Sequence, residues 1–196
     1  MQQHELLEEE LRGLKLQVSD SVRARLQIYL EELEHWRHTV NLTSLQGRAL
    51  VRRLVVEPIW IANQLQMSGK LLDVGSGNGS PAIPILLTSN FVQAHLVEPR
   101  ARRAAFLRHV AARLELKTVS VHKKRLEEAD IPSPDWVTMQ ALRPTPLLLA
   151  ALRRIAAPST RCVWVTAEKT SPIPGEQHLV VPGSRSEAWV WRLDQS

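Results

Sequence analysis

Leu71-Leu72-Asp73-Val74-Gly75-Ser76-Gly77-Asn78-Gly79, continued by Ser80-Pro81-Ala82-Ile83-Pro84-Ile85-Leu86-Leu87, is the stretch from which the fold can be read. An apolar run ends at an acid, three glycines alternate with other residues, and a helix-forming segment opens behind a proline. Strand, glycine turn and helix in that order mark a ligand-binding loop at the carboxyl end of a parallel strand. Glycine suits a backbone that a ligand approaches closely and that adopts positive φ. Pro81 suits a first helical turn, where its missing N–H has no intrahelical partner. A dinucleotide fingerprint needs its third glycine three places after the second, and that place holds Ser80. The glycines fall at 75, 77 and 79 instead, with Asp73 two before the first. An acid beside the loop repels a pyrophosphate, which seeks bare amides and a helix amino end. It suits a ligand carrying an ammonium and a sulfonium.

The pattern Asp-x-Gly-x-Gly-x-Gly resembles the S-adenosylmethionine loop of class I methyltransferases, and the segments that follow fit such a fold. From residue 70 strands and helices alternate: strand Lys70–Val74, helix Pro81–Ser89, strand Gln93–Val97, helix Ala101–Leu114, strand Thr118–His122 and strand Trp136–Met139. A helix over Pro146–Ala156 leads to strand Arg161–Thr166. Two closing apolar runs, His178–Val181 and Ala188–Leu193, are joined by a connector that permits only an antiparallel hairpin, since a parallel crossover needs a dozen or more residues. The expected fold is therefore α/β, a Rossmann-like class I methyltransferase sheet with a closing antiparallel hairpin. Ahead of it, residues 1–66 read as an N-terminal helical extension packed on the core, and 67–196 as the methyltransferase domain. Val22, Leu26, Tyr29, Leu30, Leu33, Trp36 and Val40 recur at steps of three and four, the stripe of a core-facing helix. Asn41-Leu42-Thr43-Ser44 is read as its end and as a cap for a third helix over 48–66, in which Pro58 starts a new turn or makes a kink.

Composition bounds the partners. The 196 residues carry a net charge of +5, which is compatible with a polyanion. No apolar run approaches the roughly 18 residues needed to cross a bilayer, and the acidic start (Glu5, Glu8, Glu9, Glu10) is not an export signal, so a cytoplasmic protein without a membrane partner is expected. A lone Cys162 excludes an internal disulfide and a thiolate zinc site, and its apolar strand predicts a buried structural thiol. His35, His38 and His109 show no metal spacing.

The remaining site residues follow from the ends of the parallel strands, which face one crevice. Glu98 closes the second strand, 25 positions after Asp73, where an acid accepts hydrogen bonds from ribose hydroxyls. Leu126, after the third strand, is placed to pack on adenine, with its amide or Glu127 addressing the exocyclic amine. Arg52, Arg53, Arg100, Arg102 and Arg103 are candidates for a phosphate-binding rim with salt-sensitive affinity.

His35-Trp36 through Asn41-Leu42-Thr43-Ser44, the stretch Asp73 to Pro84, Glu98-Pro99, Arg103 through Phe106-Leu107, and Arg125-Leu126-Glu127-Glu128 together resemble the glucose-inhibited division protein B family. Those are bacterial methyltransferases of the small ribosomal subunit that act on N7 of a guanine in 16S rRNA. The resemblance covers roughly residues 22 to 140. It implies S-adenosyl-L-methionine as cofactor and 16S rRNA or the small subunit as partner; a monomer is expected. It places the cofactor against Asp73, Gly75, Ser76, Gly77, Gly79, Ser80, Leu126, Glu127 and Gln140, with Glu98 on the ribose, and puts Gln140 at the catalytic position. Two departures stand out. The family's Arg-His-x-x-Asp-Ser becomes Arg52-Arg53-Leu54-Val55-Val56-Glu57, and its Ser-Arg-Ala becomes Met139-Gln140-Ala141, with a neutral amide where the family has arginine. A small-molecule methyltransferase and a catalytically impaired cofactor- and RNA-binding relative are the alternative readings.

Overall fold

The computed structural model describes residues 3–169 and 175–193. Seven strands form one sheet in the order β3-β2-β1-β4-β5-β7-β6. They are β1 (Gly69–Val74), β2 (Phe91–Val97), β3 (Val119–His122), β4 (Trp136–Gln140), β5 (Arg161–Thr166), β6 (Gln177–Val180) and β7 (Glu187–Arg192). The first five run parallel, and β7 inserts antiparallel between β5 and β6. The hairpin expected from the short 182–187 connector is thus present. Strand order reverses at β1, which has β2 on one side and β4 on the other, so the first βα loop opens onto a crevice.

Alternation along the strands sorts side chains to two faces. Leu71, Ala94, Leu96, Val163 and Val165 face one cluster, which also holds most of the buried apolar residues of α1 (Gln3–Gly13), α2 (Asp20–Trp36), α5 (Ala82–Thr88) and α6 (Ala101–Arg113). Leu72, Val74, Val137, Cys162 and Trp164 face the other, under α7 (Pro146–Ile155). The stripe anticipated on α2 is buried at Leu26, Tyr29, Leu30 and Leu33, and Glu32 joins α2 to α6 by accepting from His109 and Arg113. Cys162 is buried, and burial pushes its thiol up to about 12, as an inert core residue requires.

One local expectation is corrected and another is met. The helix α2 ends at Trp36, and the next helix starts at Gly47 behind Gln46, so Asn41–Ser44 does not cap it; Thr43 Oγ1 instead accepts from Leu45 N–H within the turn. Pro58 lies in the first turn of a new helical segment, so of the two expectations it is the new turn that the structure shows. The helix runs as α3 (Gly47–Val51), a π turn (Arg52–Val56) and α4 (Glu57–Leu65), and Glu57 N–H donates to Arg52 O. Pro58 has no N–H to return to a carbonyl one turn back, so the helix widens immediately before it. The wider winding brings residues five apart together, and Arg52 Nε reaches Glu57 Oε1 at 3.4 Å.

Candidate active site

A crevice of about 910 Å³ lies over the carboxyl ends of β1, β2 and β4. Its floor is the turn after β1. Gly75 and Gly77 have φ of +74 and +48, and a Cβ on Gly75 would sit 3.1 Å from Leu142, so glycine is required there by conformation and by space. Gly75 N–H and Ser76 N–H both donate to Val97 O, which docks the turn on the end of β2. Glu98 then secures it: Oε2 accepts from Gly77 N–H at 3.0 Å and Oε1 from Arg100 N–H at 2.8 Å. Each carboxylate oxygen keeps a second lone pair for a ligand hydroxyl.

Gly75, Ser76, Gly77, Ser80, Glu98, Leu126, Glu127 and Gln140 all line this crevice, though they span 66 positions of sequence. Ser80 Oγ donates to Gln140 Oε1 at 2.8 Å, and Gln140 Nε2 faces Arg53 O, so the residue at the expected catalytic position is held between the loop and the π turn. Val97, Leu126, Leu142 and Leu148 supply apolar wall for a flat ring.

Asp73 and Gly79, both expected at the cofactor, are not among the residues that line the crevice. Asp73 lies buried beneath the loop, where Thr138 Oγ1 donates to its Oδ1 at 2.6 Å and its Oδ2 has no partner. Burial raises its carboxyl to about 6, with the hydrogen bond from Thr138 acting in the opposite direction. It lies below the crevice floor and is not part of its lining. Gly79, at φ +92, is tightly packed: a Cβ would come within 2.8 Å of Ile83 Cδ1. Its glycine is demanded by loop–helix packing.

The basic residues divide in the same way. Arg53, Arg100 and Arg103 line the crevice, joined by Arg125, which the rim set did not include. Arg52 is corrected: it is turned away to Glu10, Glu57 and the Pro182 carbonyl, because two buried carboxylates on α1 and α4 need a cation. Arg102 is exposed but is not on the crevice wall. Sequence reasoning also missed Thr138, a polar residue inside a buried strand, and the Leu42–Leu45 turn, which forms part of the wall. Thr166 and Ser186 complete the far side. Among the described residues no three His, Cys, Asp or Glu side chains gather as a metal site, and no helix is long and apolar enough to cross a membrane.

These residues fit a ligand with a cationic centre, a ribose and an adenine. Asp73 keeps an unpartnered buried oxygen, Glu98 offers free lone pairs, and Val97, Leu126, Leu142 and Leu148 line the crevice with apolar surface. The family model for rRNA small subunit methyltransferase G matches residues 22–171. The ribosomal RNA small subunit methyltransferase G of Granulibacter bethesdensis is 32% identical over 188 residues, which cover 91% of this chain and 87% of that protein. Its namesake from Wolinella succinogenes is 28% identical over 163 residues, 83% of this chain and 84% of that protein. Among solved structures, an RNA methyltransferase from Salinibacter ruber in complex with S-adenosyl-L-homocysteine aligns with a TM-score of 0.58 at 19% identity, covering 71% of this chain and 92% of that one. The C-terminal domain of precorrin-6Y C5,15-methyltransferase from Rhodobacter capsulatus aligns at 0.54 and 19%, covering 79% and 95%. At such identities the likeness is one of fold, and the fold is that of the class I methyltransferases.

Proposed function

This chain belongs to the rRNA small subunit methyltransferase G family, and on that premise we propose that it transfers a methyl group from S-adenosylmethionine to N7 of a guanine in the 16S RNA of the small ribosomal subunit. The observation that carries the reading is the pairing of the glycine turn with Glu98 over the strand-order reversal, above the buried Asp73. Gly75, Ser76 and Gly77 would bear the methionine end, Glu98 the ribose hydroxyls, and Leu126 with Glu127 the adenine. When bound, the cofactor supplies an electrophilic methyl group on a cationic sulfur. The negative charges of Asp73 and Glu98 favour that cation, and no arginine or lysine belongs to the loop itself.

N7 of guanine has a free lone pair and no proton to lose, so the chain needs no general base at the acceptor. Its contribution is to hold N7 in line at near-attack distance. N7 lies on the major-groove edge, which A-form RNA hides, so the target base must be looped out or extruded. Gln140, fixed by Ser80, would face the base, and Arg53, Arg100, Arg103 and Arg125 the flanking phosphates. That basic rim favours a polyanionic substrate over a small neutral one.

The test is transfer from labelled S-adenosylmethionine to small subunits that lack the mark, with the product nucleoside identified by mass spectrometry. Labelled 7-methylguanosine in 16S RNA is expected. Cofactor binding without transfer to any subunit RNA would refute the catalytic reading and leave the impaired relative.

A further inference from the structure

Tyr29 lies in the middle of α2, far in sequence from the loop, and its side chain is fully buried in the core. Its hydroxyl nevertheless donates to the Asn78 carbonyl at 2.9 Å. The rest of the loop is tied to the end of β2 through Val97 and Glu98, and to Gln140 through Ser80. Tyr29 ties it to the helical layer. We propose that Tyr29 is a positioning residue of the cofactor loop: it fixes the Asn78–Gly79 peptide plane and so keeps the turn shaped for the methionine end of the ligand. The inference rests on the cofactor reading given above.

The physical reason is in the flanking residues. A flip of the Asn78–Gly79 peptide turns ψ of Asn78 and φ of Gly79, and Gly79, at φ +92 and without a Cβ, offers little steric restraint on its side. The plane is instead held from both ends. Gly79 N–H donates to Ser76 O at 2.6 Å, and the opposite end, the Asn78 carbonyl, receives Tyr29. Burial holds the Tyr29 hydroxyl well above its usual range, with the Asp73 charge adding, so it remains a donor at any working pH. Asn78 carries the restraint outward: its Oδ1 accepts from Ser80 N–H at 2.9 Å, and its Nδ2 faces Leu42 O at 3.4 Å, in the turn that walls the crevice.

Tyr29→Phe keeps the ring and removes the bond. Calorimetry with S-adenosylhomocysteine, carried out well below the melting temperature, should show about five- to tenfold weaker binding, the scale of one net hydrogen bond. Leu33→Val, a core change on the same helix, is the control: it should lower the melting temperature and leave the affinity within about twofold. Tyr29 is also the only tyrosine in the chain. Uniform 3-fluorotyrosine therefore places a single fluorine on it, and its resonance should shift on titration with S-adenosylhomocysteine at the calorimetric Kd. This measurement decides the matter if the Phe variant does not fold. Unchanged affinity in Tyr29→Phe, or a fluorine signal unmoved at saturation, overturns the proposal while leaving the function intact. Absence of binding by the unmodified protein overturns both.

Discussion

Replacing Asp73 with Asn should make the ligand-free protein more stable and a poorer binder at the same time. The side chain is fully buried, Thr138 holds one oxygen, and the other has no partner. Asparagine keeps an acceptor toward Thr138, removes the charge and puts an NH2 group where Oδ2 has no partner, a cost that is independent of pH and offsets part of the gain equally at every pH. Burial raises the carboxyl from 3.8 to about 6, so the folded chain holds that proton more tightly than the unfolded chain does. The ionisation penalty is absent below the unfolded value, grows as pH rises toward 6 and is complete above it. At 1.36 kcal/mol per pKa unit, it reaches about 3 kcal/mol at pH 8 and about 1 kcal/mol at pH 4.5. For a chain of this size 1 kcal/mol moves the melting temperature by about 2–4 °C, so Asp73→Asn should melt up to roughly 6–12 °C higher at pH 8. The gain should shrink to a few degrees, about 2–4, at pH 4.5. Differential scanning calorimetry of both proteins at both pH values reads this directly. Calorimetric titration should show the variant losing affinity for S-adenosylhomocysteine. The unmodified protein should lose affinity as pH falls through about 6, when the same carboxylate takes up its proton. A variant no more stable than the parent at pH 8, or equally stabilised at both pH values, would refute the account of Asp73 as a destabilising charge kept for the ligand.

Glu98→Gln should weaken S-adenosylhomocysteine by about 1.5–3 kcal/mol in a calorimetric titration, because a neutral amide replaces a carboxylate that accepts charge-assisted bonds; a change below twofold would remove Glu98 from the ribose site. Arg53→Gln should leave S-adenosylhomocysteine affinity intact while weakening binding to small-subunit RNA and reducing the steepness of its salt dependence, measured by filter binding across a salt series. Gly79→Ala should cost about 2 kcal/mol in urea denaturation, since φ is +92 and its Cβ would press on Ile83.

The stretch from Leu71 to Leu87 determined the fold class and the location of the ligand loop, because strand, glycine turn and helix are local features with local causes. Glu98, Leu126 and Glu127 were also legible: parallel strands bring their carboxyl ends to one edge, so position after a strand is enough to place them. The antiparallel finish was readable from the length of one connector. What the sequence could not assign was the work of individual side chains within those positions. Arg52 and Arg53 are adjacent and chemically identical, yet one neutralises buried Glu10 and Glu57 and the other borders the crevice, a division set by the π turn and the packing of α1. Asp73 and Gly79 look like wall residues in one dimension, whereas in the fold one is buried below the crevice floor and the other is packed on Ile83. Thr138 and Tyr29 carried no signal for their bonds to Asp73 and Asn78, which cross 65 and 49 positions of chain. Local chemistry chooses the elements, but such partners are chosen only when distant segments are pressed together and each buried polar group must find one.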